Sequence, residues 1–175
     1  MFEIIDTPFS PIKTVRLDDR GDFRPCSTGL DIDNLKVRTM MERIEADHAN
    51  DQEIVASAAH ADKEIALENA WQEAIERISL AAWWALDRPF LAKFSDDTVE
   101  KIVRNHKIEI PESFSVRVGL VESVNPDYKI ACSIISNERD YPFAVLGGGC
   151  SKNAMQAAEK AIYESMQSWT ATNWI

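Results

Sequence analysis

Seven polar residues on two helix-like stretches carry the chemistry that can be read from this sequence. In "ALENAWQEAIERISLAAWW", Asn69, Glu73 and Glu76 recur at i, i+4 and i+7. At 100° per residue they share one helix face, with Arg77 beside them. In "AAEKAIYESMQS", Lys160, Glu164 and Gln167 repeat the spacing. Carboxylates scattered on a solvated face are what most surface helices have. Here Leu80 and Trp84 continue the first face, with Trp83 close by, while Leu67, Trp71, Ala74, Ile78 and Ala85 line the opposite one. The helix therefore reads as apolar nearly all round, the signature of a buried element. Carboxylates desolvated together are costly unless a cation or a hydrogen-bond network offsets them, and a divalent metal carrying a phosphate commonly does so. Mg²⁺ with a nucleotide is the natural ligand for such a face. The plain alternative is a structural Glu73–Arg77 ion pair at i+4.

The elements that position these residues follow from punctuation and pattern. Residues 1–30 carry Pro8, Pro11, Gly21, Pro25 and Gly29 around short apolar fragments such as "IKTVRL", and read as strand pieces between turns. "NLKVRTMMERIE", Asn34 to Glu45, fits a strand running into a helix or one helix, and the pattern does not choose. "EIVASAA", 53–59, reads as a strand, and His60 to Asp87, free of Gly and Pro, as a long helix stopped by Pro89. "SDDTVEKIVRNHK" reads as a connecting helix capped by Ser95 or Asp96. "FSVRVGLVES", "YKIACSIIS" and "YPFAVLGGG" are three β-prone runs of an antiparallel meander, after which Ser151 opens a helix to about Thr170. At an offset of 91, Ala66, Glu68, Ala70 and Glu73 fall over Ala157, Glu159, Ala161 and Glu164, as in a strand-turn-helix repeat. Chance likeness between two Ala- and Glu-rich helices is the other reading. The expected fold is α/β (α+β), a mixed, largely antiparallel sheet with two long helices.

Bulk properties bound the function. A chain of 175 residues, 45% apolar, suits one domain spanning 1–175. A formal charge of −10 opposes nucleic acid as a partner, because phosphate neutralisation needs clustered Lys and Arg. Cys26, Cys132 and Cys150 have neither disulfide-framework nor zinc spacing, which fits a reducing cytoplasm. No apolar run is long enough to span a membrane and the N-terminus lacks signal-peptide features, so a soluble, unprocessed cytoplasmic protein is expected. His48, His60 and His106 stand isolated and read as structural. Cys150 follows three glycines at an expected helix N-terminus, where the dipole would lower its pKa, but no base accompanies it. "GGGCS" lacks the phosphate-loop ending and reads as a close-packing turn.

The first stretch resembles the YcaO family's segment in which Ser, three residues, Glu, two residues and Glu-Arg lie on a helix before an apolar aromatic run. "FAVLGGGCSKNAMQAAEKAIYESMQSW", after "SVRVGL" and "KIACSII", is similar to that family's glycine turn, Ala-rich helix and Glu-x-x-Gln motif. The likeness covers residues 53–87 and 113–169. It implies an ATP-using protein of ribosomal-peptide modification, of the bacteriocin or azoline kind, in which ATP with Mg²⁺ activates a backbone amide. If active, it would be a cyclodehydratase or related enzyme. By resemblance Asn69, Glu73, Glu76, Arg77, Lys160, Glu164 and Gln167 bind the nucleotide, and Glu73, Glu76 and Glu164 the metal. No residue is assigned a catalytic role. Asn69 stands where the family usually has Ser, and Lys160 where it commonly has Arg, and Lys cannot make the bidentate fork. The family's domains are also about twice this long.

Two rivals remain open. A scaffold that keeps the fold without ATP would bind a peptide or a partner protein, using strands or aromatics such as Trp169 and Trp174. The strand meander before "GGGCSKNAMQAAEKAIYESM" also looks like a double-stranded RNA-binding domain, but only Lys152 stands where that module needs consecutive lysines. Peptide or partner protein is the expected ligand class, with no nucleic acid and no membrane, and homo-oligomerisation is left open.

Overall fold

The first thirty residues do form strands. The computed structural model describes residues 1–17, 26–49, 56–139 and 141–172. β1 (Phe2–Asp6), β2 (Lys13–Leu17) and β3 (Cys26–Gly29) pair antiparallel in chain order. Val15 points inward from β2, while Phe9 and Ile12 from the β1–β2 connection reach the main core. α1 (Ile32–Ala49) settles the ambiguous segment as one helix. Asp31 accepts from the backbone N–H groups of Asp33 and Asn34 at its start. Thr39 Oγ1 is shared between the Leu35 carbonyl at 2.8 Å and the Val15 carbonyl at 3.1 Å, tying α1 to β2.

α2 (Lys63–Ala85) begins three residues later than expected, because Asp62 caps it by accepting from Glu64 and Ile65. It ends before Pro89, whose restricted backbone could not continue it. The strand expected at 53–59 is not seen: residues 53–55 lie outside the described residues, and 56–60 have no regular structure. Among the described residues the proposed repeat keeps its two helices, and 56–59 form no strand. A two-residue strand β4 (Ala92–Lys93) precedes α3 (Asp96–Asn105), which Ser95 caps as expected.

β5 (Phe114–Val121), β6 (Lys129–Asn137) and β7 (Ala144–Ser151) form the expected meander, with β4 beside β5 and β7 at the other edge. The expected largely antiparallel sheet is thus present as two antiparallel sheets. The pleat of β6 supplies both faces of the second sheet. Ala131 and Ile135 face α4 (Ala154–Thr172), with its Ala157, Ala161, Ile162, Met166 and Trp169, whereas Ile130 and Cys132 face Ile75, Leu80 and Trp83 of α2. Trp169 is buried against Phe114, and so is not the exposed aromatic a scaffold would offer; Trp174 lies outside the described residues.

The "GGGCS" run is strand rather than turn. α4 starts later, where Asn153 caps it by accepting from Met155 and Gln156. A Cβ on Gly149 would lie 2.0 Å from the Ala157 carbonyl oxygen, and one on Gly147 2.2 Å from the Ser165 nitrogen. Bare glycines let α4 lie directly on the strand. No described helix is long and apolar enough to cross a membrane.

Candidate functional site

At the open edge of β7 the two helices from opposite sheet faces come round to meet. The outward N–H of Gly148 donates to the carboxylate of Glu164 on α4, while a Cβ on Gly148 would lie 2.5 Å from Glu76 Oε1 on α2. Lys160 closes the junction: its Nζ donates to Gln72 Oε1 of α2 at 3.0 Å and to the Cys150 carbonyl at 2.9 Å. Gln167, one turn beyond Glu164, donates from Nε2 to the Cys26 carbonyl at 3.0 Å, which ties α4 to the first sheet. Glu73 accepts from the Ser57 N–H and is ion-paired with Arg77, so the plain structural pairing at i+4 is made.

These contacts enclose an open cavity of about 1480 Å³ between α1, α2 and α4. Asn69, Glu73, Glu76, Arg77, Lys160, Glu164 and Gln167 all line it, so the two stretches singled out by spacing do face one another. The third wall was missed. Arg38, Glu42 and Glu45 of α1 line the same cavity, again at i, i+4 and i+7, and that shared spacing is the signal that could have found them.

Crowded carboxylates set the electrostatics. Burial, then the charge of Glu164, pushes Glu76 up to about 8, with Lys160 and Arg77 relieving it in part and Glu73 adding to it. Glu164 is exposed where it lines the cavity. It is raised by burial and by Glu73, against the lowering effects of the Gly148 N–H and Arg77. Glu42 is raised to about 7, chiefly by burial and then by Glu45, with Arg38 relieving it. Burial and Glu73 also raise Glu45, although the Ala59 N–H holds it at 2.6 Å. Raised to about 8, Glu76 holds its proton at neutral pH.

Hard oxygen donors in this number suit Mg²⁺ over a softer metal. Among the described residues no three acidic, His or Cys side chains converge closely enough to hold a metal alone. A metal here needs oxygens from a bound ligand, which is how Mg²⁺ is commonly held with phosphates. The donor set fits a nucleotide-borne ion and not an all-protein cage.

Other sequence candidates lie elsewhere or behave differently. Cys150 is buried inside β7, so burial first and Glu76 next push its thiol up to about 11, the reverse of a dipole-activated nucleophile. His60 accepts from the Asp62 N–H, and His106 lies against Tyr163 with Glu159 at 3.7 Å. The His48 side chain lies outside what is described. α2 is not buried all round: Leu67, Trp71, Ile78 and Trp84 are 70%, 54%, 47% and 69% exposed, because only one side of the helix meets the sheet.

Two layered antiparallel sheets with acidic helices meeting at the edge of one define a YcaO-like fold. The chain superposes on YcaO from Methanopyrus kandleri, solved bound with AMPPCP and Mg²⁺, with a TM-score of 0.74 at 15% identity over 97% of this chain and 63% of that one. It also superposes on the E. coli microcin synthetase McbBCD complex, with a TM-score of 0.72 at 10% identity over 97% of this chain and 64% of that one. At such identities the likeness is one of fold. The chain spans under two thirds of the length of these proteins. No family model matches the sequence, and no curated protein matches it.

Proposed function

We propose that the cavity binds ATP with Mg²⁺ and that the chain is a YcaO-like protein of ribosomal-peptide modification, acting on a peptide backbone amide. The observation that carries this reading is the convergence of Glu42, Glu45, Glu73, Glu76 and Glu164 from three helices on one cavity lined also by Arg38, Arg77 and Lys160. Anionic side chains crowded to the point of holding protons are a standing cost that a divalent cation relieves. Glu73, Glu76 and Glu164, with Glu42 and Glu45 opposite, would hold the metal, while Arg38, Arg77 and Lys160 offset the phosphates. Asn69 would hydrogen-bond the nucleotide from the rim, and Gln167 fixes α4 over β3. When bound, ATP supplies the phosphoryl group that makes an amide oxygen a leaving group. The cavity exceeds the ~300–1,000 Å³ of ordinary small-molecule pockets, leaving room for a peptide segment beside a nucleotide.

A second reading has its own observation. Lys160 and Arg77 already have intramolecular partners, as in a scaffold that keeps the fold and binds a peptide or partner protein without ATP. Calorimetric titration of ATP and Mg²⁺ into the purified protein separates the two, with Glu73→Gln/Glu76→Gln as control. Micromolar binding that the control abolishes supports nucleotide use, and folded protein with no heat sinks it in favour of the scaffold.

A further inference from the structure

The outer edge of β7 falls into two halves. Asn137 donates to the Phe143 carbonyl at 3.0 Å, which fixes the residues of β7 that bond to β6. Hydrogen-bonded pairs alternate with unbonded ones along an antiparallel ladder. Val145, Gly147 and Gly149 therefore bond inward, while Ala144, Leu146, Gly148 and Cys150 turn their N–H and C=O groups outward. In the second half side chains take these groups: Glu164 accepts from the Gly148 N–H, and Lys160 donates to the Cys150 carbonyl. In the first half Ala144 and Leu146 are exposed, and among the described residues nothing bonds to their outward groups.

The unpaired half leads into the cavity. α4 runs antiparallel to β7, with Gly149 on Ala157 and Gly147 on Ser165, so Ser168, one turn beyond Glu164, lies toward Leu146. Ser168 lines the cavity, as does Leu80, one turn beyond Glu76 on α2, so the cavity runs along this edge from Gly148 toward Leu146. Unpaired N–H and C=O groups on a strand edge are a template for another strand, and an extended peptide can supply it.

We propose that the Ala144–Leu146 edge docks a peptide segment, which adds to β7 as an antiparallel strand and is led along the edge into the cavity. The peptide residues opposite Ala144 and Leu146 each exchange two hydrogen bonds with the strand. Two places toward the peptide's N-terminus from the residue opposite Leu146, and ~7 Å further along, a residue comes opposite Gly148. Glu164 already holds the Gly148 N–H, so the peptide backbone there is released from the ladder beside Glu76 and Glu164. Leu146 pairs with Ile134, whose side chain packs on the α2 side, and is 41% exposed. It favours an apolar peptide residue opposite it, two places C-terminal to the residue delivered. A single strand can follow this edge between α2 and α4, which a second folded copy cannot. The inference rests on the peptide-binding part of the proposed function, which the nucleotide-using and scaffold readings share.

Amide NMR of the ¹⁵N-labelled protein, with no nucleotide present, tests it. The probe is an acetylated, amidated pentapeptide of alternating threonine and valine at millimolar concentration, beside its fully N-methylated counterpart. The plain peptide should shift the Ala144 and Leu146 amide signals downfield and slow their exchange with solvent, and the methylated one should do neither. Leu146→Pro suits an edge position whose N–H turns outward, and should weaken binding about fivefold by removing one backbone hydrogen bond. The methylated probe keeps the test independent of whether that variant folds. No shift at Ala144 and Leu146, an equal shift with the methylated peptide, or shifts confined to the β1 edge each overturns the proposal. So do amides at these two positions that are protected in the protein alone and released on dilution, since the edge then joins two copies. A peptide shift without ATP heat in the calorimeter leaves the docking edge standing and sinks nucleotide use alone, and ATP heat without a peptide shift does the reverse.

Discussion

Replacing Glu76 by Gln should stabilise the protein, but only at high pH. The folded chain holds this carboxyl protonated up to about 8, through burial first and Glu164 second. An unfolded chain releases the proton near 4.3. Between those values the native state binds more protons than the unfolded one, so the Glu76 contribution makes stability fall as pH rises from the lower value to the higher and then level off. At about 1.36 kcal/mol per unit the whole interval is worth roughly 5 kcal/mol, a ceiling that the interaction with Glu164 and entry of water reduce to about 2–3 kcal/mol. Gln has nearly the same shape and no charge to lose. Variant and wild type should be about equally stable at pH 5, and the variant more stable at pH 9, a shift of about 1 M in urea midpoint for a domain of this size. Urea unfolding at the two pH values measures it. No gain at pH 9 refutes the electrostatic reasoning; an equal gain at pH 5 does so too, since better packing and not charge would then be the cause. The functional effect should run the other way, with ATP–Mg²⁺ binding lost from a more stable protein, as expected of a residue kept for a ligand.

Three further outcomes follow from the same geometry. Because Glu42 and Glu76 hold protons to about 7 and 8, ATP–Mg²⁺ binding at pH 7 should release protons and tighten toward pH 8; calorimetry in buffers of different ionisation enthalpy reads this, and heats independent of buffer would count against metal ligation there. Gly147→Ala sets a Cβ 2.2 Å from the Ser165 nitrogen and 2.3 Å from the Ala161 carbonyl, backbone that cannot yield, and should cost about 3 kcal/mol. Gly148→Ala meets only the ends of Glu76 and Leu80, so it should cost about 1 kcal/mol while weakening nucleotide binding; equal melting temperatures for the two variants would contradict the packing described. Burial raises Cys26 and Cys150 to about 11 and Cys132 to about 12, so native protein at pH 8 should react with a thiol reagent far more slowly than denatured protein, and fast labelling of Cys150 would revive a nucleophile there.

How much of this the sequence could disclose depended on whether a signal was local. The caps at Ser95 and the spacing of Glu73 with Glu76 and of Glu164 with Gln167 are written within a few residues, and each is found where pattern puts it. The glycine strand is not local: Gly is a poor strand former, and only the approach of Ala157 and Ala161 across the sheet explains why bare backbone is needed. α1 was ambiguous because its apolar residues divide between a sheet-facing side, where Leu35 and Thr39 are buried, and an outer side, where Val37, Met40 and Ile44 are about half exposed. That divided pattern concealed Arg38, Glu42 and Glu45 between the two. The apolar circumference of α2 misled in an instructive way. It suggests a helix covered on all sides, and the outer side is exposed. The placement of the carboxylates decides that: with Glu76 against the β7 edge and Ile75 against the sheet, the line from Leu67 to Ala85 turns away from the chain's own core.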